Sequence, residues 1–177
     1  MTDHRAPLVA ICPGSYDPVT LGHVDVISRA AAIFDRVVVG VVRDPHHKRT
    51  MFTVEERVAF LEDALSAVDN VVVDVFAELV VDFARRHGAR TMVKGLRVLA
   101  DFEWEVQMNR LNTLLAPEIE TMYVMSGPDY AFVSSSGVKE IASFGGKVDP
   151  LVPAAVAARF RELFPDGRPG APLSPQE

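Results

Sequence analysis

Residues Val37–Val42 read VVVGVV, six positions without a polar side chain. A strand with one wet face alternates apolar and polar residues, so an unbroken apolar run must be covered on both faces, the usual state of a parallel strand. Four further runs, Leu8–Cys12, Val71–Phe76, Thr91–Val93 and Thr121–Met125, are largely apolar as well. Helical patterns separate them. His23–Phe34 places Val24, Ile27, Ala31 and Phe34 on one face. Thr53-x-x-Glu56 forms a capping box that starts a helix running to about Val68. A helix over Leu79–His87 meets Gly88 as a C-terminal stop. Phe102–Leu115, a segment from Ser135 or Ser136, and Val152–Leu163 complete the helices. Strand alternating with helix predicts the α/β class: a doubly wound, Rossmann-like five-stranded parallel sheet with helices on both faces.

The 177 residues suffice for one substantial core. Residues 1–164 are read as a single domain. Residues 165–177, with prolines at 165, 169, 172 and 175, are read as a disordered tail. The sequence contains no apolar run long enough to span a bilayer and no signal-peptide pattern, which predicts no membrane partner. One cysteine, Cys12, allows no internal disulfide and fits a reducing, cytoplasmic setting. A formal charge of −6 argues against a general nucleic-acid surface, though not against a small anion held by a local cationic pocket.

In a doubly wound sheet, ligands bind beyond the carboxyl ends of the strands, so the residues after each strand are the ones to read. The first strand runs into Gly14-Ser15-Tyr16-Asp17-Pro18, and Thr20, Gly22 and His23 follow at the mouth of a helix. Glycine allows close backbone approach, and a helix N-terminus favours an anion at which His23 can aim a ring N–H. After the second strand lies Asp44-Pro45-His46-His47-Lys48-Arg49. The adjacent histidines read as a solvated loop without an obvious third metal ligand, and Lys48 is the better candidate cation for a pocket. Ala77, Glu78, Leu79 and Val80 after the third strand read as helix start and core.

Lys94-Gly95-Leu96-Arg97 after the fourth strand puts two cations around a glycine, a pattern suited to a phosphate chain. Glu105 on the next helix has three roles open to it: a ribose hydroxyl, support of Arg97, or a solvated carboxylate. After the fifth strand come Ser126-Gly127-Pro128, then Tyr130-Ala131-Phe132-Val133 and Ser134-Ser135-Ser136, with Lys139 one turn on. One serine at a helix start is a cap; three in a row suggest phosphate oxygens as well. The Walker lysine loop, the G-x-G-x-x-G fingerprint and the G-x-S-x-G elbow are all absent. Together these loops describe an enzyme that handles a nucleoside triphosphate without a P-loop.

The segments PGSYDPVTLGH, KGLRVLADFEWEVQMNRLN and FVSSSGVKE, with MFTVEERV between the first two, resemble the phosphopantetheine adenylyltransferases of bacterial coenzyme A synthesis. The resemblance covers roughly Val9 to Leu163. T-x-G-H alone marks the wider nucleotidyltransferase superfamily, whereas the later two segments in this order point to the one family. The resemblance implies adenylyl transfer from ATP to 4′-phosphopantetheine with Mg²⁺, giving dephospho-coenzyme A and pyrophosphate. By the same resemblance His23 would stabilise charge at the α-phosphate. Ser15, Lys48 and Lys94 would hold the acceptor phosphate, and Val80 would contribute to the pantetheine pocket. Ser15, Tyr16, His23, Gly95, Leu96, Arg97, Glu105 and Tyr130 to Ser136 would bind ATP. It further implies a homohexamer and feedback inhibition by coenzyme A, and leaves the metal ligands unknown. The competing expectations are another adenylyl- or cytidylyltransferase of the superfamily and a non-catalytic ATP-sensing module.

Overall fold

The computed structural model describes residues 5–45 and 49–165, with residues 99–101 described by their backbone alone. Five strands, β1 (Val9–Gly14), β2 (Arg36–Val42), β3 (Val71–Phe76), β4 (Thr91–Leu96) and β5 (Glu120–Met125), alternate with helices. The helices are α1 (Leu21–Ala31), α2 (Val54–Ala64), α3 (Val80–Arg86), α4 (Leu99–Leu115), α5 (Ser135–Ser143) and α6 (Ala154–Leu163). The sheet order is β3-β2-β1-β4-β5, and every pairing is parallel.

The valine run behaves as its composition requires. Val37, Val39 and Val41 face a core built with α1, α2, α5 and α6, while Val38 faces a second core with Phe76, Phe83 and Met92. Gly40 interrupts the run because Phe83 occupies its side-chain space: a Cβ there would stand 2.5 Å from Phe83 Cε1. The capping box at Thr53 is present in both directions, Thr53 N–H to Glu56 Oε2 at 2.9 Å and Glu56 N–H to Thr53 Oγ1 at 3.2 Å. Gly88 ends α3 in the left-handed region at φ 66°, with Ala89 N–H donating to Ala84 O.

Three elements depart from the sequence reading. α1 buries Val26, Ile27 and Ala30 most deeply; of the expected Val24-Ile27-Ala31-Phe34 set, Ile27 and Phe34 are buried, while Val24 and Ala31 are only partly buried against the same core. α2 ends at Ala64 rather than near Val68. β4 continues through Lys94-Gly95-Leu96, pairing with Tyr123, Val124 and Met125, so these residues belong to the strand rather than to the loop after it. Polarity hid that extension, because Lys94 and Gly95 stand where the sheet meets the ligand-facing edge.

The topology reverses at β1, which has β2 on one side and β4 on the other. β1 stays registered with β2 up to Gly14↔Val41 but with β4 only at Ala10↔Thr91 and Ile11↔Met92. Beyond that point β1 runs with β2 and β4 with β5. The carboxyl ends of β1 and β4 therefore part, opening a crevice where a doubly wound sheet binds ligands.

Candidate active site

A cleft of about 470 Å³ fills that crevice, with a floor of Cys12, Val26, Ile27 and Val93. Burial pushes the Cys12 thiol up to about 12, so it is an inert part of the floor. Ser15, Tyr16, His23, Lys94, Gly95, Arg97, Glu105 and Ser134 to Ser136 all line the cleft.

The loop after β1 is held in an uncommon shape. Tyr16 adopts φ 48°, in the left-handed region, and is buried, with its O–H donating to Cys12 O at 2.8 Å. Asp17 is buried beside it and accepts from Met51 N–H, Phe52 N–H and Lys139 Nζ, the last at 2.7 Å. One carboxylate thus joins the loop to the start of α2 and to α5.

His23 sits at the third position of α1, and Thr20 is the N-cap. Thr20 N–H donates to His23 Nδ1 at 3.0 Å, while His23 N–H donates to Thr20 Oγ1 at 3.4 Å. This is a capping box with histidine in place of the usual glutamate or glutamine. An amide N–H can only donate, so Nδ1 is the acceptor and the neutral ring carries its proton on Nε2. Burial, followed by the Arg97 charge, lowers the His23 pKa to about 4. At neutral pH the ring is therefore an uncharged N–H donor in the wall of the cleft. Leu21 N–H is taken by Leu151 O, so this helix mouth presents Gly22 and the His23 ring rather than a full set of open amides.

Across the cleft, Lys94 Nζ is hydrogen-bonded to Glu105 Oε2. Arg97 donates to Val133 O at 3.2 Å, tying the end of β4 to the serine run. The three serines divide their work. Ser134 caps α5 by accepting from Gly137 N–H at 3.0 Å, Ser135 Oγ donates to Pro18 O at 2.8 Å, and Ser136 lines the cleft. Trp104 is 63% exposed and stands in the cleft wall.

Lys48 falls outside the described residues, as do His46 and His47. Val80 opens α3 and packs on the second core with Ile11 and Val38, away from the cleft lining. Leu96 is buried at the end of β4. Tyr130 backs Gly22, with its Cβ 3.3 Å from where a Gly22 Cβ would stand, and Phe132 is 74% exposed. Sequence reasoning missed Asp17 as a structural hub and the Thr20–His23 capping box, which T-x-x-H before an apolar pattern could have signalled. It also missed Arg57, a charge on the buried face of α2 beside Phe60 and Leu61.

Residues 11–141 match the cytidylyltransferase-like family model. The chain is 51% identical over 158 residues to a phosphopantetheine adenylyltransferase from Heliobacterium modesticaldum, covering 89% of this chain and 94% of the relative. It is also 51% identical over 160 residues to one from Symbiobacterium thermophilum, covering 90% and 98% respectively. A Vibrio parahaemolyticus crystal structure, provisionally described as a nicotinate-nucleotide adenylyltransferase, superposes with a TM-score of 0.65 at 14% identity over 88% of this chain and 99% of its own, a likeness of fold. With a site of this geometry and relatives of this identity over nearly its whole described length, the chain belongs to the phosphopantetheine adenylyltransferase family.

Proposed function

We propose that the protein transfers the adenylyl group of ATP to 4′-phosphopantetheine, releasing pyrophosphate and forming dephospho-coenzyme A. An oxygen of the acceptor phosphate bonds to the α-phosphorus as the bond from that phosphorus to the bridging oxygen of pyrophosphate breaks. The nucleophile is already ionised near neutral pH, so the site needs no strong base. Catalysis then rests on positioning and on charge stabilisation at the α-phosphate. The observation that carries this reading is the neutral His23 ring, locked by Thr20 with its proton on Nε2, in a cleft that Lys94 and Arg97 make cationic. His23 donates to the α-phosphate oxygen as charge develops there. Lys94, Ser15 and Lys48 receive the acceptor phosphate. Tyr16, Gly95 to Arg97, Glu105 and the 130–136 stretch receive ATP. Val80 meets the pantetheine arm only where it leaves the cleft.

Among the described residues no three carboxylate, imidazole or thiol groups gather as a metal cage. The hydroxyl-rich donor set fits Mg²⁺ arriving with the triphosphate: Ser15 and Ser136 would be the side chains at hand, and phosphate oxygens and water would supply most of the ion's coordination. Bound there, the ion would neutralise charge on the leaving pyrophosphate.

The apolar residues that α4 and β5 leave exposed, including Leu114 at 79% and Met125 at 62%, support self-association, in line with a homohexamer. None of the described helices is long and apolar enough to cross a membrane. With one cysteine and a net charge of −6, that fits a cytoplasmic enzyme without a nucleic-acid partner. Coenzyme A, which shares the pantetheine and adenylyl parts of the product, fits the same cleft as a feedback inhibitor.

The test is pyrophosphate release from ATP and Mg²⁺ with three acceptors: phosphopantetheine, nicotinate mononucleotide and glycerol 3-phosphate. Release with phosphopantetheine alone supports the proposal. Release only with another acceptor would keep the nucleotide site and replace the substrate. ATP binding without release would make the protein a sensor.

A further inference from the structure

Lys139 lies on α5, one turn past the serine run, and does not line the nucleotide cleft. Its Nζ donates to Asp17 Oδ2 at 2.7 Å, and the two side chains are 19% and 6% exposed. Asp17 Oδ1 also accepts from Met51 N–H and Phe52 N–H, at 3.0 and 2.9 Å. Four residues before Lys139, on the same face of the helix, Ser135 Oγ donates to Pro18 O at 2.8 Å. Two neighbouring bonds therefore seat α5 on consecutive residues, Asp17 and Pro18, of the loop after β1. A buried ion pair is a poor source of stability, because apolar side chains of similar volume commonly do as well or better. Its best-attested use is to fix the register of one element on another.

The surroundings of the pair show what it registers. A hollow of about 20 Å³, lined by Ser15, Asp17, Thr50, Ser135, Ser136 and Lys139, shares Ser15, Ser135 and Ser136 with the cleft. That space holds about one water molecule and is too small for a phosphate group. The charge of Lys139 is also already met by Asp17. The cation itself is therefore not a phosphate site, but the residues it ties together border one. Ser15 stands two residues before Asp17, and Ser136 three residues before Lys139.

We infer that Lys139 is a positioning residue for the transfer step: through Asp17 it sets the spacing between Ser15, which receives the acceptor phosphate, and the serine run, which receives ATP. The inference rests on the adenylyl-transfer reading above. When the lysine is removed, Asp17 keeps its two amide donors, so the loop stays tied to the start of α2 and α5 alone gains freedom. Each side keeps its own binding groups, but the attacking oxygen and the α-phosphorus lose their alignment. A misplacement of about 1 Å costs on the order of 10²-fold in rate. The loss therefore falls on kcat more than on either KM.

The experiment compares wild type, Lys139→Met, Lys139→Arg, Asp17→Asn, the Asp17→Asn/Lys139→Met pair and the core control Leu61→Ala by steady-state pyrophosphate release and thermal melting. Methionine keeps the apolar stem and loses the bond, whereas arginine keeps a cation that reaches Asp17. Lys139→Met is expected to lose about tenfold or more in kcat with both KM values within about threefold, the split expected of lost alignment rather than lost binding. Lys139→Arg is expected to recover most of that kcat. Because both single substitutions break the same bond, the double variant is expected to be about as slow as the slower single one. Leu61→Ala is expected to melt lower while keeping its kcat. The inference is overturned by a Lys139→Met kcat within about twofold of wild type, or by a rise in the KM for ATP alone, the mark of a cation that touches the triphosphate. It is equally overturned by an arginine variant no faster than the methionine one, by losses that multiply in the double variant, or by an equal kcat loss in Leu61→Ala. Recovery of the double variant towards wild type would assign Lys139 to neutralising Asp17 instead, and failure of Lys139→Met to fold would assign it to the fold alone. A wild-type protein silent with ATP and phosphopantetheine would refute the functional reading itself, and the same assay detects it.

Discussion

His23 does two jobs that substitution can separate. Its Nδ1 accepts the N–H of Thr20, a residue 1% exposed, and its Nε2 proton is left for the reacting phosphate. Glutamine is a natural partner at this position of a capping box, so His23→Gln retains an acceptor for Thr20 N–H and loses the placed ring donor. Alanine loses both. Removing one preorganised donor to a developing oxyanion costs about 2.7–4 kcal/mol, or 10²–10³-fold in kcat. Leaving a buried N–H without an acceptor costs about 1–3 kcal/mol of stability. Both variants are therefore expected to lose 10²–10³-fold in kcat. Only His23→Ala is expected to melt lower, by roughly 2–12 °C for a domain of this size. Coupled-enzyme detection of pyrophosphate gives kcat, and calorimetry or circular dichroism gives the melting temperature. A His23→Gln enzyme within tenfold of wild type would refute the role of the ring. Equal melting of His23→Ala and wild type would refute the capping box.

Further outcomes follow from the same contacts. With its folded pKa lowered to about 4, His23 should stay neutral and Nε2-protonated from pH 8 to pH 5 in nitrogen-15 NMR. Because the unfolded chain binds this proton at about 6.5 and the native one only near 4, the stability contributed by the neutral ring is full above the unfolded value. It should fall as pH drops from 6.5 towards 4, in a denaturant titration that His23→Gln flattens. Gly40→Ala should destabilise by about 1–3 kcal/mol in urea unfolding, since the new methyl collides with Phe83. Truncation after Phe164 should leave activity and melting temperature nearly unchanged, a large drop in either showing that the Pro/Gly-rich tail docks.

The sheet was legible because burial on both faces leaves its mark directly in composition: VVVGVV at 37–42 has no other comfortable setting. Helix boundaries at Thr53 and Gly88 were legible because their chemistry is local, a reciprocal cap and a left-handed stop. β4 was read short for the opposite reason. Its ligand-facing end carries Lys94 and Gly95, and a strand end that serves a site looks like a loop in sequence. Site residues were readable wherever position followed from strand order, so His23, Lys94, Arg97 and the serines converge on one cleft. Their pairings were not readable. That Glu105 holds Lys94, that Ser135 bonds Pro18 O, and that Asp17 meets Lys139 depend on contacts across 11, 117 and 122 residues of chain. Arg57 is the sharpest case, because an arginine on a helix reads as solvated until the fold buries it.

The most direct test of the account follows the α-phosphorus. Incubation with ATP labelled at that atom, Mg²⁺ and phosphopantetheine should move the label into dephospho-coenzyme A, with none bound to protein at any time. Label retained on the protein would contradict direct attack by the acceptor phosphate, and label confined to ATP and AMP would contradict adenylyl transfer itself.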